Sequence, residues 1–270
     1  MKRSRLEQAI VTLTARQSAA VSGDTRIADL DPRALLVVTL AFLVSMLSVS
    51  LLRIDMIVWF AVYPIVTAPM AGVSYERVFR NSLYVLPLLL LIGVFNPFLD
   101  REPAFVVSSV SVSRGWVTFF SIMLRGLLSV QALLILIYAC GFTRMCQAMH
   151  SMGMPRVIVT QLLMVYRYLT VLLQEALSMQ RARKARGYGR TSYRTSMWGA
   201  FVGQLLLRTL ERSRRINMAM KARGFNGMYA FGFAFRWRSA DTIFCLVWIS
   251  AFVVMRIFSL SSLLLHFLNP

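Results

Sequence analysis

ALLVVTLAFLVSMLSVSLL, residues 34 to 52, carries no charged side chain over 19 consecutive positions. At 1.5 Å per residue it makes about 28 Å of helix, close to the hydrocarbon thickness of a bilayer. Asp31-Pro32 opens this helix, and four further apolar runs follow at 56–71, 82–99, 116–140 and 242–265. The separators are polar: Arg53 to Asp55, a charged turn with Glu76, Arg77 and Arg80, and the segment Asp100 to Arg114. Pro64, Pro69 and Pro87 fall inside apolar runs, so the freed carbonyls must find donors on neighbouring helices, which implies a packed bundle.

Composition points the same way. Of 270 residues 57% are hydrophobic, and a mean hydropathy of +0.63 is too apolar for one soluble core. The formal charge is nevertheless +19, with 30 basic side chains that must collect at the membrane surfaces, chiefly the cytoplasmic one. All but Lys2, Lys184 and Lys221 are Arg, a bias that suits bidentate recognition of carboxylate or phosphate and that high-GC coding also produces. Cys140, Cys146 and Cys245 are scattered and form no CxxC pair, so neither a disulfide framework nor a zinc site is indicated. The basic N-terminus precedes no early apolar run, and no removable signal peptide is expected.

Residues 1–33 read as a cytoplasmic tail, 34–140 as four transmembrane helices, and 242–270 as a last transmembrane helix with the C-terminus. Between them, 141–241 reads as a cytoplasmic or interfacial module of long amphipathic helices: from 175 to 223 there are 12 basic residues against Glu175 and Glu211. The expected fold class is an all-α membrane protein with about five transmembrane helices. The positive-inside rule then places the N-terminus in the cytoplasm and the C-terminus outside.

The basic module repeats itself. KARGY at 184–188 and KARGF at 221–225 start 37 residues apart, each at the end of a helical pattern. Leu172, Leu173, Ala176 and Met179 precede the first; Trp198, Val202, Leu205 and Leu206 precede the second; Arg208, Arg212 and Arg215 line a different stripe. Gly187 and Gly224 fit the left-handed position that ends a helix, while Lys184, Lys221 and the arginines complement the negative end of the dipole. Arg186 and Arg223 would then project from two helix tips, suited to bidentate bonding in an acidic groove. A plain capping role explains one such motif well, and two matched copies poorly. Two equivalent tips suggest two equivalent receptor sites.

Ala185-Arg186-Gly187 and Ala222-Arg223-Gly224 resemble the paired signature of the CbiQ/EcfT family, the T components of energy-coupling factor ABC transporters. LDPR at 30–33, Arg125 in the fourth span, the AMHSMGMP run at 148–155 and YRYL at 166–169 followed by Glu175 extend the resemblance. After the fourth span, where the family carries a Thr-Thr-Ser-Pro-like turn, this chain has Cys140-Gly141-Phe142-Thr143. The resemblance implies that Arg186 and Arg223 end two coupling helices and enter grooves on two ABC-type ATPase subunits, which alone bind ATP and Mg. It also implies a separate substrate-binding S component, with Lys184, Lys221, Glu175, Glu211 and Arg167 supporting the coupling helices. The implied work is uptake of a micronutrient, a vitamin or a Co or Ni ion, across the inner (plasma) membrane of a bacterium or archaeon.

The chain lacks GxxxxGK[ST], so no P-loop cradles phosphate and no catalytic role is expected. Met145, Cys146, Met149, His150, Met152 and Met154 could offer soft ligands to Cu(I), but flexible apolar packing is the better reading, and no metal site or bound cofactor is expected. Arg125, about 13 Å into its span, is a candidate intramembrane functional residue or a structural donor to helix carbonyls. Two other readings stay open on the residues alone: a self-sufficient carrier or channel with Arg125 on its pathway, and a polybasic membrane-anchored interaction protein holding anionic lipid. Nucleic acid is not an expected partner, because the basic residues are interleaved with apolar runs.

Overall fold

The computed structural model describes residues 30–99, 103–107, 110–186, 195–225, 227 and 237–257. Two compact units emerge, one from residues 23–148 with 234–270, the other from 1–22 with 149–233.

In the first unit, α1 (Pro32–Leu47) starts where the sequence says it should. Pro32 occupies the first turn, where no amide donor is needed, and the Asp31 carboxylate accepts the Arg33 amide at 3.0 Å. The run 56–71, expected as one span, is divided between α2 (Ile54–Trp59) and α3 (Val62–Met70). Pro64 explains the break: its ring cannot face the carbonyl four residues back, that of Phe60, and the chain there tightens into three-residue bonds from Phe60 to Ile57 and from Ala61 to Val58.

The run 82–99 departs further from expectation. Instead of one helix it forms the end of α4 (Tyr75–Ser82), a 3-10 turn at Leu83–Val85, α5 (Leu86–Gly93) and the short α6 (Asn96–Leu99). Pro87 and Pro97 sit at the starts of the last two, the only positions in a helix that tolerate them well. The segment expected to be merely polar contains a small antiparallel ribbon, β1 (Pro103–Val107) with β2 (Val110–Ser113), registered Val107 to Val110 and Phe105 to Val112, with an irregularity between Pro103 and Phe105.

α7 (Arg114–Ser151) follows, and α10 (Ser239–Ile257) closes the unit alongside α1. Gly141 interrupts α7 at φ 69°, ψ 155°, a conformation open essentially to glycine alone. Glycine also lets α5 and α7 approach closely. A Cβ at Gly126 would collide with Leu89, and one at Gly93 would lie 2.8 Å from Phe119, the small-residue packing common between membrane helices.

The core is aromatic. Phe42 of α1 stacks on Tyr63 of α3 at 4.5 Å between centroids, and Phe252 of α10 lies within 5.6 Å of both. Trp248 meets the edge of Tyr63 at 4.9 Å. The Tyr63 ring is 1% exposed, and its hydroxyl pairs with Thr39 Oγ1 at 3.0 Å, which satisfies the buried phenolic oxygen. The outer faces of the same helices are bare aliphatic surface, with Val44 of α1 at 68% and Leu246 of α10 at 64% exposure. Water would penalise such faces; lipid does not.

The second unit is built on α8 (Arg156–Arg186, 31 residues) and α9 (Thr195–Ala222, 28 residues), about 46 and 42 Å long at helical rise. The turn before α8 is closed by the Met154 amide on the Met149 carbonyl (3.1 Å) and the Gly153 amide on the His150 carbonyl (3.1 Å). α8 buries Val159, Thr160 and Leu163 near its start, whereas no described side chain of α9 is buried.

The molecule is thus an all-α membrane protein with one small ribbon among the described residues. Among the described residues three helices are long and apolar enough to cross a bilayer, Arg114–Ser151, Arg156–Arg186 and Ser239–Arg256; Pro32–Leu47 and Ile54–Met70 are shorter apolar stretches. The five runs named from sequence therefore differ in kind. Two hold helices long enough to span, with the run 242–265 described as far as Ile257; two are short or broken, and the run 82–99 is a chain of pieces. α8, assigned from sequence to the charged module, has a first half apolar enough to span.

Candidate functional site

The two Ala-Arg-Gly motifs end the two long helices of the second unit. Arg186 is the last residue of α8, exposed, with Arg183 and Lys184 in the same final turn; Ala185 is exposed beside it, and Gly187 lies outside the described residues. At the other motif the cap is fully defined. The Phe225 amide donates to the Met220 carbonyl and the Gly224 amide to the Lys221 carbonyl, both at 3.0 Å, with Gly224 at φ 78°. This pair of bonds requires a left-handed residue after the helix, which only glycine adopts without cost. Lys221, Ala222, Arg223 and Gly224 are all exposed.

Each tip therefore sets a guanidinium and a neighbouring ammonium where the last helix carbonyls concentrate partial negative charge. That local field favours the cations, and their exposure leaves the donors available to an anionic partner surface. A charged hydrogen bond braces the pair of helices: Arg208 Nη1 donates to Glu175 Oε1 at 2.8 Å, linking the middle of α9 to α8. The sequence pattern singles out Glu175 but not its partner, since Arg208 falls on a separate stripe of its helix. Glu211, the matching acid of the second repeat, is exposed and has no ion pair among the described residues. Arg167 is exposed on α8, and its carbonyl accepts the Thr170 hydroxyl at 3.0 Å.

Arg125 belongs to the first unit, in a different role from the tips. Its Nη2 donates to the Val49 carbonyl at 2.6 Å, in the turn just after α1, so the guanidinium satisfies a carbonyl beyond the end of a helix. Sequence could not name this partner, which lies 76 residues away.

A second polar cluster escaped the sequence reading almost entirely. The Asp31 amide donates to Asp241 Oδ1 at 2.9 Å, and the Arg238 amide to Asp241 Oδ2 at 2.9 Å. Cys245 Sγ approaches the Ala34 carbonyl at 3.8 Å. Asp241 thus ties the start of α10 to the start of α1; an acid in the first turn of an apolar run was the available signal, but nothing local revealed its distant partner. In the Met-rich segment, His150 Nδ1 lies 3.1 Å from the Met154 carbonyl, within the turn that leads to α8. Among the described residues no three His, Cys, Asp or Glu side chains converge as a metal site.

Apolar-faced helices, a glycine-packed bundle and a long, exposed, cation-tipped helix pair define a multi-pass membrane protein. Residues 24–231 match the family described as CbiQ, cobalt transport protein, and the chain belongs to that family. It is 26% identical over 149 residues to the cobalt transport protein CbiQ of Salmonella typhimurium, covering 51% of this chain and 66% of that one. It is also similar to two uncharacterized proteins of Methanocaldococcus jannaschii. One is 26% identical over 141 residues (50% of this chain, 48% of the relative), the other 28% identical over 109 residues (40% of each). The chain spans about half the length of the curated relatives it matches.

Proposed function

We propose that this chain is the transmembrane coupling subunit of an energy-coupling factor type ABC importer. Its α8 and α9 receive motion from two ATPase subunits and pass it to a separate substrate-binding membrane protein. The observation that carries the reading is the pairing of Arg186 and Arg223, each exposed at the end of a helix more than 25 residues long and each preceded by Lys-Ala. A long helix is stiff enough to act as a lever, and a guanidinium at its tip can make two parallel bonds to a carboxylate. The ATPases hold the ATP and Mg in this scheme. The cargo is a micronutrient, a cobalt or nickel ion or a vitamin, selected by the partner rather than by this chain, whose N-terminus faces the cytoplasm.

The test is Arg186→Glu combined with Arg223→Glu in the full chain, co-expressed with the P-loop ATPases of the same host. Reversing a charge at each contact should lower ATPase co-purification at least about 100-fold, by loss of the pair and by repulsion between like charges. Insertion into the membrane should be unchanged. Normal co-purification of the double variant would remove the basis for the proposal.

A further inference from the structure

Asp31 is only half satisfied. Its Oδ1 accepts the Arg33 amide at 3.0 Å and has Arg33 Nε 3.9 Å away, while Oδ2 is buried and makes no hydrogen bond among the described residues. The residue is 5% exposed. A buried carboxylate oxygen without a donor is one of the less favourable arrangements in a folded protein and calls for an explanation.

A second cation lines a cavity beside it. Leu30 and Pro32, on either side of Asp31, form a small cavity with Leu35, Ala139, Cys140 and Arg144. Arg144 is half-buried and makes no ion pair among the described residues. It also sits three positions beyond Gly141, the one residue at which α7 leaves helical geometry. A turn about the Gly141 backbone would carry Arg144 toward or away from the start of α1.

We propose that Asp31 and Arg144 form a latch. The ion pair closes when the helical segment 142–148 turns about Gly141 and opens when it turns back, so that the start of α1 sets the orientation of that segment. Arg144 suits the task because a guanidinium can meet a carboxylate side-on with two donors, satisfying the oxygen left bare in the open arrangement. Asp31 suits it because Asp241 fixes its backbone: the Asp31 amide is held at 2.9 Å, so the anchor stays still while the hinge segment moves. Two discrete packings of one segment are what a transmitting element requires. The latch rests on the coupling function proposed above for its purpose, but not for its existence.

Hydrogen exchange on the full chain in lipid nanodiscs, without ATPases, tests it. Asp31→Asn keeps a side-chain oxygen for the α1 cap and removes the charge; Arg144→Gln removes the cation. Each should raise exchange of the amides in 142–148 about tenfold, the double variant should raise it no further, and Arg144→Lys should restore most of the protection. A silent Arg144→Gln, or a double variant near 100-fold, would overturn the latch. Should Asp31→Asn fail to insert, Arg144→Gln against Arg144→Lys decides alone: equal exchange in the two would also overturn it. ATPase co-purification by the wild type reports separately on the coupling function.

Discussion

α1 and α9 are both apolar-rich helices, and they spend their side chains in opposite ways. α1 buries Phe42 and Met46 completely, the former in a ring cluster with Tyr63 and Phe252. α9, nearly twice as long, buries none of its described side chains and presents Val202 and Leu206 more than half exposed. Packing holds the first; the second keeps its shape through helix propensity, its glycine cap and a cross-brace. A helix that buries none of its described side chains along 28 residues draws little of its stability from packing.

If that contrast is right, truncating the aromatic core should have the largest effect. Phe252→Ala leaves a cavity among Phe42, Phe60 and Tyr63 and should cost about 3–5 kcal/mol, read as loss of folded protein in detergent on heating. Leu206→Ala, in the same assay, should stay within about 0.5 kcal/mol, because more than half of its surface is already exposed. Equal losses at the two positions would erase the distinction.

Smaller, and local to the arm, is Gly224→Ala. A Cβ there meets no atom within 4 Å, so the whole cost is the left-handed backbone at φ 78°, about 1–2 kcal/mol, visible as faster exchange of the last turn of α9 with the global transition unmoved. Smallest is the brace. Glu175→Gln should weaken contact between α8 and α9 by about 0.2–1 kcal/mol at low salt and by less as ionic strength rises, since the Arg208 side chain is 51% exposed. A double-mutant cycle with Arg208→Gln isolates that pair.

Much of the arm was legible because its signals are local. Lys-Ala-Arg-Gly names a helix end through the chemistry of four adjacent residues, and Gly224 adopts the conformation that chemistry demands. Asp31-Pro32 marked the start of α1 for the same reason. The bundle was less legible. Pro64 and Pro87 announced kinks, but whether each bends a helix or divides it depends on the neighbours that accept the freed carbonyls. Arg125 illustrates the limit most clearly: its charge within an apolar run was obvious, and its partner, the Val49 carbonyl, was not.

Sequence by itself determined that this chain is an all-α membrane protein with two matched, arginine-tipped helices, because hydropathy and capping are written in contiguous residues. Only the tertiary structure decided that Asp241 holds the amide of Asp31, that Arg208 braces Glu175, and that Arg144 faces the same cavity as the residues flanking Asp31. Those pairs join positions 33 to 210 residues apart, or meet across a kink, and their energies depend on distances that no local pattern encodes.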